Sequence, residues 1–192
     1  GVDRITTLNL KIVSTDEWRT PKWLADALGP FDLDPCSNAS SHVRAPSRCG
    51  PIEELASAQR DGLAYDWASL SVFCNPPYSN VLPWAAKLRD HTGPWCALVK
   101  LDPTTKWWAA LMEASPTIAP FRKRLKFEGA FEGAQSMTAN FPSVLVYSAW
   151  RPPAALVPNL WLSTYAVTQA TTRAPGAAGE RVRRDNFQGA SK

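Results

Sequence analysis

A short apolar segment that runs into two prolines is the feature that most limits how this chain can fold. The segment is Leu70 to Cys74, and Asn75-Pro76-Pro77-Tyr78 follows it directly. Because proline has no backbone N–H to give to a neighbouring strand, the strand must end at Cys74. The sequence therefore predicts a buried strand, with the NPPY tetrapeptide in the loop just beyond its carboxyl end.

Strand-like and helix-like segments alternate around this loop. Strands are also predicted at Phe31 to Asp34 and at Trp95 to Leu101. Helices are predicted at 21–28, 51–60, 80–89 and 104–113. This succession is typical of an α/β fold with a mostly parallel sheet, in which ligands bind beyond the carboxyl ends of the strands. Two later strand-like segments, 121–127 and 143–147, predict an antiparallel hairpin at the sheet edge.

Composition excludes several classes of protein. The 192 residues are 45% hydrophobic and 20% charged, which fits one globular domain and not a disordered or collagenous chain. We expect no membrane span and no signal peptide, and hence a cytoplasmic protein, because no apolar stretch is long enough for either. The four cysteines form no CxxC pair and there are two histidines, so we expect reduced thiols and no metal site.

Most of the positive charge lies at the end of the chain. The net charge is +4, and residues 171–192 hold five basic and two acidic side chains but almost no large apolar ones. This composition predicts a basic flexible tail. Such a tail either attracts phosphates or keeps the protein in solution, and the sequence favours neither role.

The NPPY loop has the chemistry to hold a planar group that carries an –NH2. The amide oxygen of Asn75 and the carbonyl of Pro76 can both accept hydrogen bonds from such a group, and the ring of Tyr78 can stack on it. Two acceptors leave the nitrogen lone pair free to attack a methyl group on a sulfonium. The alternative is that the tetrapeptide only ends the strand.

Further motifs follow one another in order through most of the chain. They are DEWRTP at 16–21, FDLDPC at 31–36 with Asn38-Ala39, Asp61-Gly62-Leu63 with Asp66-Trp67, VFCNPPYS at 72–79, Trp84 with Lys87, TKWW at 105–108, RLKF at 124–127 and Phe141-Pro142-Ser143. Over about residues 14–150 this ordered set resembles the small DNA N6-adenine methyltransferases of phages and prophages. The resemblance implies a Rossmann-like S-adenosylmethionine-dependent methyltransferase fold, with an abbreviated sheet and an antiparallel edge hairpin.

The resemblance also implies domain limits and roles for individual residues. It divides the chain into an extension (1–13), a methyltransferase domain (14–170) and the basic tail (171–192). It implies that the target adenine is held by Asn75, Pro76, Pro77 and Tyr78. It implies that S-adenosylmethionine lies against Thr20, Pro21, Asp34, Pro35, Cys36 and Asp61. The chain departs from many methyltransferases because no glycine-rich turn follows Asp34: the first glycine after it is Gly50.

The expected partner is DNA, whose target adenine must leave the duplex to reach the NPPY loop. The residues expected to contact phosphates are Lys100, Lys106, Arg122, Lys123, Arg124 and Lys126. The segments 36–50 and 129–140 are the candidates for recognition of a short or relaxed target. The expected role is modification of phage or prophage DNA against host restriction. The sequence does not decide between a monomer and a weak dimer.

Other functions stay open on the NPPY loop alone. Cytosine N4, an RNA base and a protein glutamine also present a planar amino group. A catalytically inactive module that binds nucleic acid is an alternative of a different class. The intact Asn75 to Tyr78 sequence argues against inactivity, and the ordered motifs favour adenine in DNA.

Overall fold

The strands of the protein are short and most of them join one sheet. The computed structural model describes residues 18–129 and 136–162. In this part of the chain the strands are β1 (Leu33–Asp34), β2 (Ser47–Arg48), β3 (Val72–Cys74), β4 (Trp95–Lys100), β5 (Thr117–Pro120), β6 (Lys126–Phe127), β7 (Met137–Thr138) and β8 (Ser143–Ser148). Six of them form a sheet in the order β2-β1-β3-β4-β8-β5, while β6 and β7 form a separate antiparallel pair.

The six-stranded sheet is mostly parallel, as the sequence predicts. The strands β2, β1, β3 and β4 run in one direction, and β8 is antiparallel to its neighbours β4 and β5. The direct pairing of β1 with β3 sets Leu33 opposite Val72. The residues that follow these two strands therefore emerge at the same edge of the sheet.

Helices cover both faces of the sheet. They are α1 (Lys22–Leu28), α2 (Leu82–Asp90) and α3 (Lys106–Met112). Side chains alternate along β4: Leu98 packs with Leu24 and Leu28 of α1, whereas Val99 packs on the opposite face with Leu88 and Leu111 of α2 and α3. None of these described helices is long and apolar enough to cross a bilayer.

Two predictions about secondary structure need correction. Residues 51–60 form turns and a 3-10 helix at Ser57–Gln59, not an α-helix, because Ile52 is the only buried residue of that segment and no apolar stripe exists to pack. The antiparallel pair at the sheet edge does form, but Thr117–Pro120 supplies its first strand. Of the predicted strand 121–127 only Lys126–Phe127 is extended, and it pairs with β7.

The limits predicted for the extension, domain and tail fall outside the described residues.

Candidate active site

A cavity of about 360 Å³ lies at the carboxyl ends of β1 and β3. Seven of the ten residues predicted to hold the adenine or the cofactor line it: Thr20, Asp34, Pro35, Cys36, Asp61, Asn75 and Pro77. Pro21, Pro76 and Tyr78 are not among its lining residues. Its other walls come from Trp18, Arg19, Ser37, Asn38, Ser41, Gly50, Pro51, Arg60, Gly62, Phe73 and Trp84. The topology thus brings the two predicted groups of residues to one cavity.

Asp34 is a buried carboxyl group in the wall of this cavity, with only 3% of the residue exposed. It accepts hydrogen bonds from the Cys36 N–H at 3.3 Å and from the Ser41 hydroxyl at 3.2 Å. Burial raises the pKa of Asp34 to about 6, although these bonds act in the opposite direction. Near neutral pH the cavity therefore holds a partly desolvated negative charge, which favours a cationic ligand group.

Asn75 is oriented by a hydrogen bond to the residue that precedes α1. Its Nδ2 donates to the Thr20 hydroxyl oxygen at 3.3 Å, and Thr20 is itself 5% exposed. Because the amide oxygen and nitrogen lie on opposite sides of Cγ, this bond turns Oδ1 away from Thr20. The side chain thus has one end fixed to the protein and an acceptor at the other.

Tyr78 packs into an aromatic group next to the cavity. Its ring meets Phe141 and Phe127 edge to face, at centroid distances of 5.3 and 6.5 Å, and the Lys100 ammonium lies 4.8 Å from its centroid. The phenolic oxygen is buried and has no hydrogen-bond partner among the described residues. Burial raises the pKa of Tyr78, so the phenol stays neutral.

Comparison with known proteins identifies the family. The profile of the DNA N-6-adenine-methyltransferase (Dam) family matches residues 7–172. The chain belongs to this family. It is 25% identical over 171 residues to the DNA N-6-adenine-methyltransferase of Haemophilus phage HP1 (strain HP1c1), a match that covers 84% of this chain and 94% of the phage protein. No solved structure matches the chain.

The family assignment confirms the phage-type resemblance and the predicted enzyme class, an adenine-specific DNA methyltransferase. The mixed α/β architecture with its mostly parallel sheet is confirmed by the structure. Methyltransferases of this kind use S-adenosylmethionine as methyl donor in general. The roles of individual residues stay predictions and are taken up below.

The loop that carries Asp61 is held against the cavity from two sides. Asp61 accepts hydrogen bonds from the backbone of Leu63 and Ala64 at 2.9 and 3.3 Å. The Lys87 ammonium donates to the carbonyl oxygens of Leu63 and Tyr65, both at 2.6 Å, and lies 4.8 Å from the Trp67 ring. Desolvation lowers the pKa of Lys87. Lys87 is therefore the anchor of this loop, a role that the sequence did not reveal.

A charged network on the other side of the cavity was also missed by sequence reasoning. Glu128 accepts from the Lys22 backbone N–H at 2.9 Å, bonds to His42 Nε2 at 2.7 Å and lies 3.7 Å from Arg19. Partial burial raises the pKa of Glu128, but the bonds from Lys22 and His42 and the nearby charges outweigh it and the pKa is lowered. The network ties the β6 segment to α1 and to the loop after β1. No local pattern signals such long-range pairs.

The predicted phosphate-binding residues lie around the same edge of the sheet. Lys100 ends β4 and Lys106 begins α3, while the others belong to or precede β6. Arg122, Lys123, Arg124, Lys126 and Lys106 are exposed. Trp108 is buried in the same apolar cluster as Leu88 and Leu111, so it belongs to the core. In the part of the chain that the structure describes, no three His, Cys, Asp or Glu side chains are grouped to hold a metal ion.

Replacing Lys87 by methionine tests the anchor. Lys87→Met leaves the Leu63 and Tyr65 carbonyls without their charged donor, so we expect the free energy of unfolding to fall by about 2 kcal/mol in urea titrations. Lys22→Met is the matched control, because among the described residues the Lys22 side chain forms one exposed ion pair, with Asp26, and the loss of that pair should cost about 0.5 kcal/mol or less. Equal stability of Lys87→Met and the wild-type protein would contradict the anchor.

Proposed function

We propose that the protein transfers a methyl group from S-adenosylmethionine to the N6 amino group of adenine in DNA, with both reactants held at the cavity between Asp34 and Asn75. The observation that carries the proposal is that Asp34 and Asn75, one from each predicted group of residues, line the same cavity. Its volume of about 360 Å³ lies in the ordinary range for a site that takes a cofactor-sized ligand. The family assignment supplies the reaction.

The residues around the cavity suit the cofactor. S-adenosylmethionine supplies a methyl group on a positively charged sulfur, together with an ammonium group and an adenine. The buried Asp34 carboxylate would accept hydrogen bonds from the ammonium group. Thr20 and Pro21 would cover the methionine end, with Pro35 and Cys36 beside it, while Asp61 would accept from the adenine amino group. The loop held by Lys87 would form the wall at that end.

The NPPY loop would bind the target base. Asn75 Oδ1 and the Pro76 carbonyl would accept the two N–H groups of adenine N6, and Pro77 would keep the loop rigid. The nitrogen lone pair would then be free to attack the methyl carbon as its bond to sulfur breaks; S-adenosylhomocysteine would leave, and the surplus N6 proton would pass to water. Thr20 supports this role, because its bond to Nδ2 points an acceptor, not a donor, at the base.

Tyr78 needs a change of surroundings to stack on that base. Phe141, Phe127 and Lys100 already contact its ring. We infer that an arriving base takes the place of Lys100 on the ring, and that the Lys100 ammonium moves to a phosphate of the DNA. Lys106 and the Arg122 to Lys126 cations would hold other phosphates. The target adenine would be flipped out of the duplex to reach the loop.

The expected biological role is modification of phage or prophage DNA against host restriction, carried out in the cytoplasm of the host. Recognition of the target sequence is assigned to the segments 36–50 and 129–140. The first segment supplies Cys36, Ser37, Asn38, Ser41 and Gly50 to the cavity wall, and residues 130–135 of the second lie outside the described part of the chain.

Methyl transfer to DNA tests the proposed function. Purified protein is incubated with S-adenosylmethionine labelled in the methyl group and with unmethylated duplex DNA, which is then digested and separated into nucleosides. We expect the label in N6-methyladenine. Asn75→Ala should lower the rate at least 100-fold, a loss typical for a group that acts on the transition state, and leave cofactor affinity within about threefold. The control Asn80→Ala changes an exposed asparagine and should leave both unchanged. Label in N4-methylcytosine, or none in DNA, would overturn the proposal.

The raised pKa of Asp34 predicts how cofactor affinity depends on pH. Above about pH 6 the carboxyl group is ionised and attracts the ammonium group; below it the group is neutral. We expect the affinity for S-adenosylmethionine, measured by calorimetry, to fall as the pH drops through about 6. Asp34→Asn should bind more weakly and lose this dependence, whereas Asp26→Asn, at an exposed position of α1, should keep it. A pH profile shared by Asp34→Asn and the wild-type protein would exclude Asp34 from the cofactor site.

A further inference from the structure

An exposed tryptophan lies against an arginine at the end of β5. Backbone bonds join the two segments: Trp161 N–H donates to the Pro120 carbonyl at 2.8 Å, and Arg122 N–H donates to the Asn159 carbonyl at 2.9 Å. The Arg122 guanidinium lies 4.0 Å from the centre of the Trp161 ring and also donates to the Leu160 carbonyl at 3.0 Å. The pair is thus fixed by the backbone, yet Trp161 is 57% exposed.

A second exposed tryptophan lies beside the same segment. Trp23 of α1 is 45% exposed and meets Phe121 edge to face at 6.5 Å. Phe121 in turn forms a bridge with Leu160. We name the area formed by Trp23, Arg122, Lys123, Arg124 and Trp161 the Trp161 surface. Trp23 and Trp161 are thus both linked to the Phe121–Leu160 bridge, and large exposed apolar side chains grouped in this way are typical of surfaces that bind a partner.

The charge of the Trp161 surface fits a polyanion. Arg122, Lys123 and Arg124 are three consecutive exposed cations. Within residues 18–129 and 136–162, no acidic side chain forms an ion pair with any of them. A phosphate backbone would neutralise these charges without first breaking an internal pair.

The Trp161 surface lies at the same end of the sheet as the candidate active site, with β4 and β8 between β3 and β5. It follows the carboxyl end of β5, and β5 runs in the same direction as β1 and β3. Three residues after Arg124, Phe127 contacts the rings of Tyr78 and Trp18. A duplex that delivers a base to the NPPY loop and extends over this end of the sheet towards β5 would reach the Trp161 surface.

We propose that the Trp161 surface binds the DNA duplex next to the flipped adenine. The three cations contact phosphates, and the Trp161 indole stacks on a base or sugar exposed where the duplex is opened. This rests on the proposed function, because an enzyme that takes a base out of the stack leaves such a gap. Stacking of an aromatic side chain on a base needs no sequence match and so suits a small enzyme with a short target.

DNA binding by the full-length protein tests the proposal. The probes are a fluorescently labelled mixed-sequence duplex and the same duplex with one mismatched adenine, measured by anisotropy at several salt concentrations. We expect Trp161→Ala to weaken binding about tenfold, most on the mismatched duplex, and Trp161→Phe to stay within about threefold of the wild-type protein. The double variant Lys123→Ala/Arg124→Ala should lower the slope of log affinity against log salt by nearly 2.

Two controls keep the result specific. Arg151→Ala removes an exposed cation that follows β8 at the opposite edge of the sheet, and it should change affinity less than the Lys123/Arg124 pair does. Circular dichroism and cofactor affinity should be the same for all variants. The proposal is overturned if Trp161→Ala binds both duplexes like the wild-type protein, if Arg151→Ala has an equal effect per charge, or if Trp161→Ala changes only self-association in sedimentation.

The outcome can be separated from that of the proposed function. If the wild-type protein methylates DNA but the Trp161 variants bind DNA normally, the proposal for the Trp161 surface is wrong and the proposed function is supported. If the wild-type protein binds DNA through Trp161 without transferring a methyl group, DNA binding by the Trp161 surface is supported and the proposed reaction is wrong.

Discussion

The structure depends on two neighbouring parallel strands that stop at the same edge of the sheet. The pairing of Leu33 with Val72 places the ends of β1 and β3 side by side, so Asp34 and Asn75 open into one cavity. Pro76 and Pro77 force β3 to end at this edge, because neither proline has an N–H to donate to a neighbouring strand. A carboxyl group and an amide thereby line the same cavity. The other parts of the site are attached to this edge: the Asp61 loop through Lys87, and the β6 segment through Glu128.

Features with a local cause could be predicted from the sequence. The apolar run before the NPPY loop predicts a buried strand that ends at Cys74, and the structure has β3 end there. The β-α succession predicts a mostly parallel sheet, which in turn predicts that Asp34 and Asn75 lie near each other. The helix predicted at 51–60 failed for a physical reason: Glu53, Glu54 and their neighbours lack the periodic apolar face that would hold a helix on the sheet. β5 was missed because an exposed edge strand carries little apolar pattern.

Features that depend on long-range contacts could not be predicted. Glu128 reaches His42 and Arg19 across the fold, and Lys100 reaches the Tyr78 ring from the end of another strand. The tight packing of Tyr78 is the main departure from a simple stacking platform, since its ring is already in contact on several sides. The position of the exposed Trp161 beside Arg122 depends on backbone hydrogen bonds between segments that are distant in sequence. Each of these cases needs tertiary structure, because no spacing in the sequence relates the partners.

The most direct test of the proposed site is a crystal structure of the protein with S-adenosylhomocysteine, the product left when the methyl group has been transferred. We predict this ligand in the cavity at the ends of β1 and β3, with its amino group within hydrogen-bond distance of the Asp34 carboxylate and its sulfur facing the Asn75 side. Binding outside that cavity, or in the reverse direction with the adenine at Asp34, would contradict the assignment of both halves of the site.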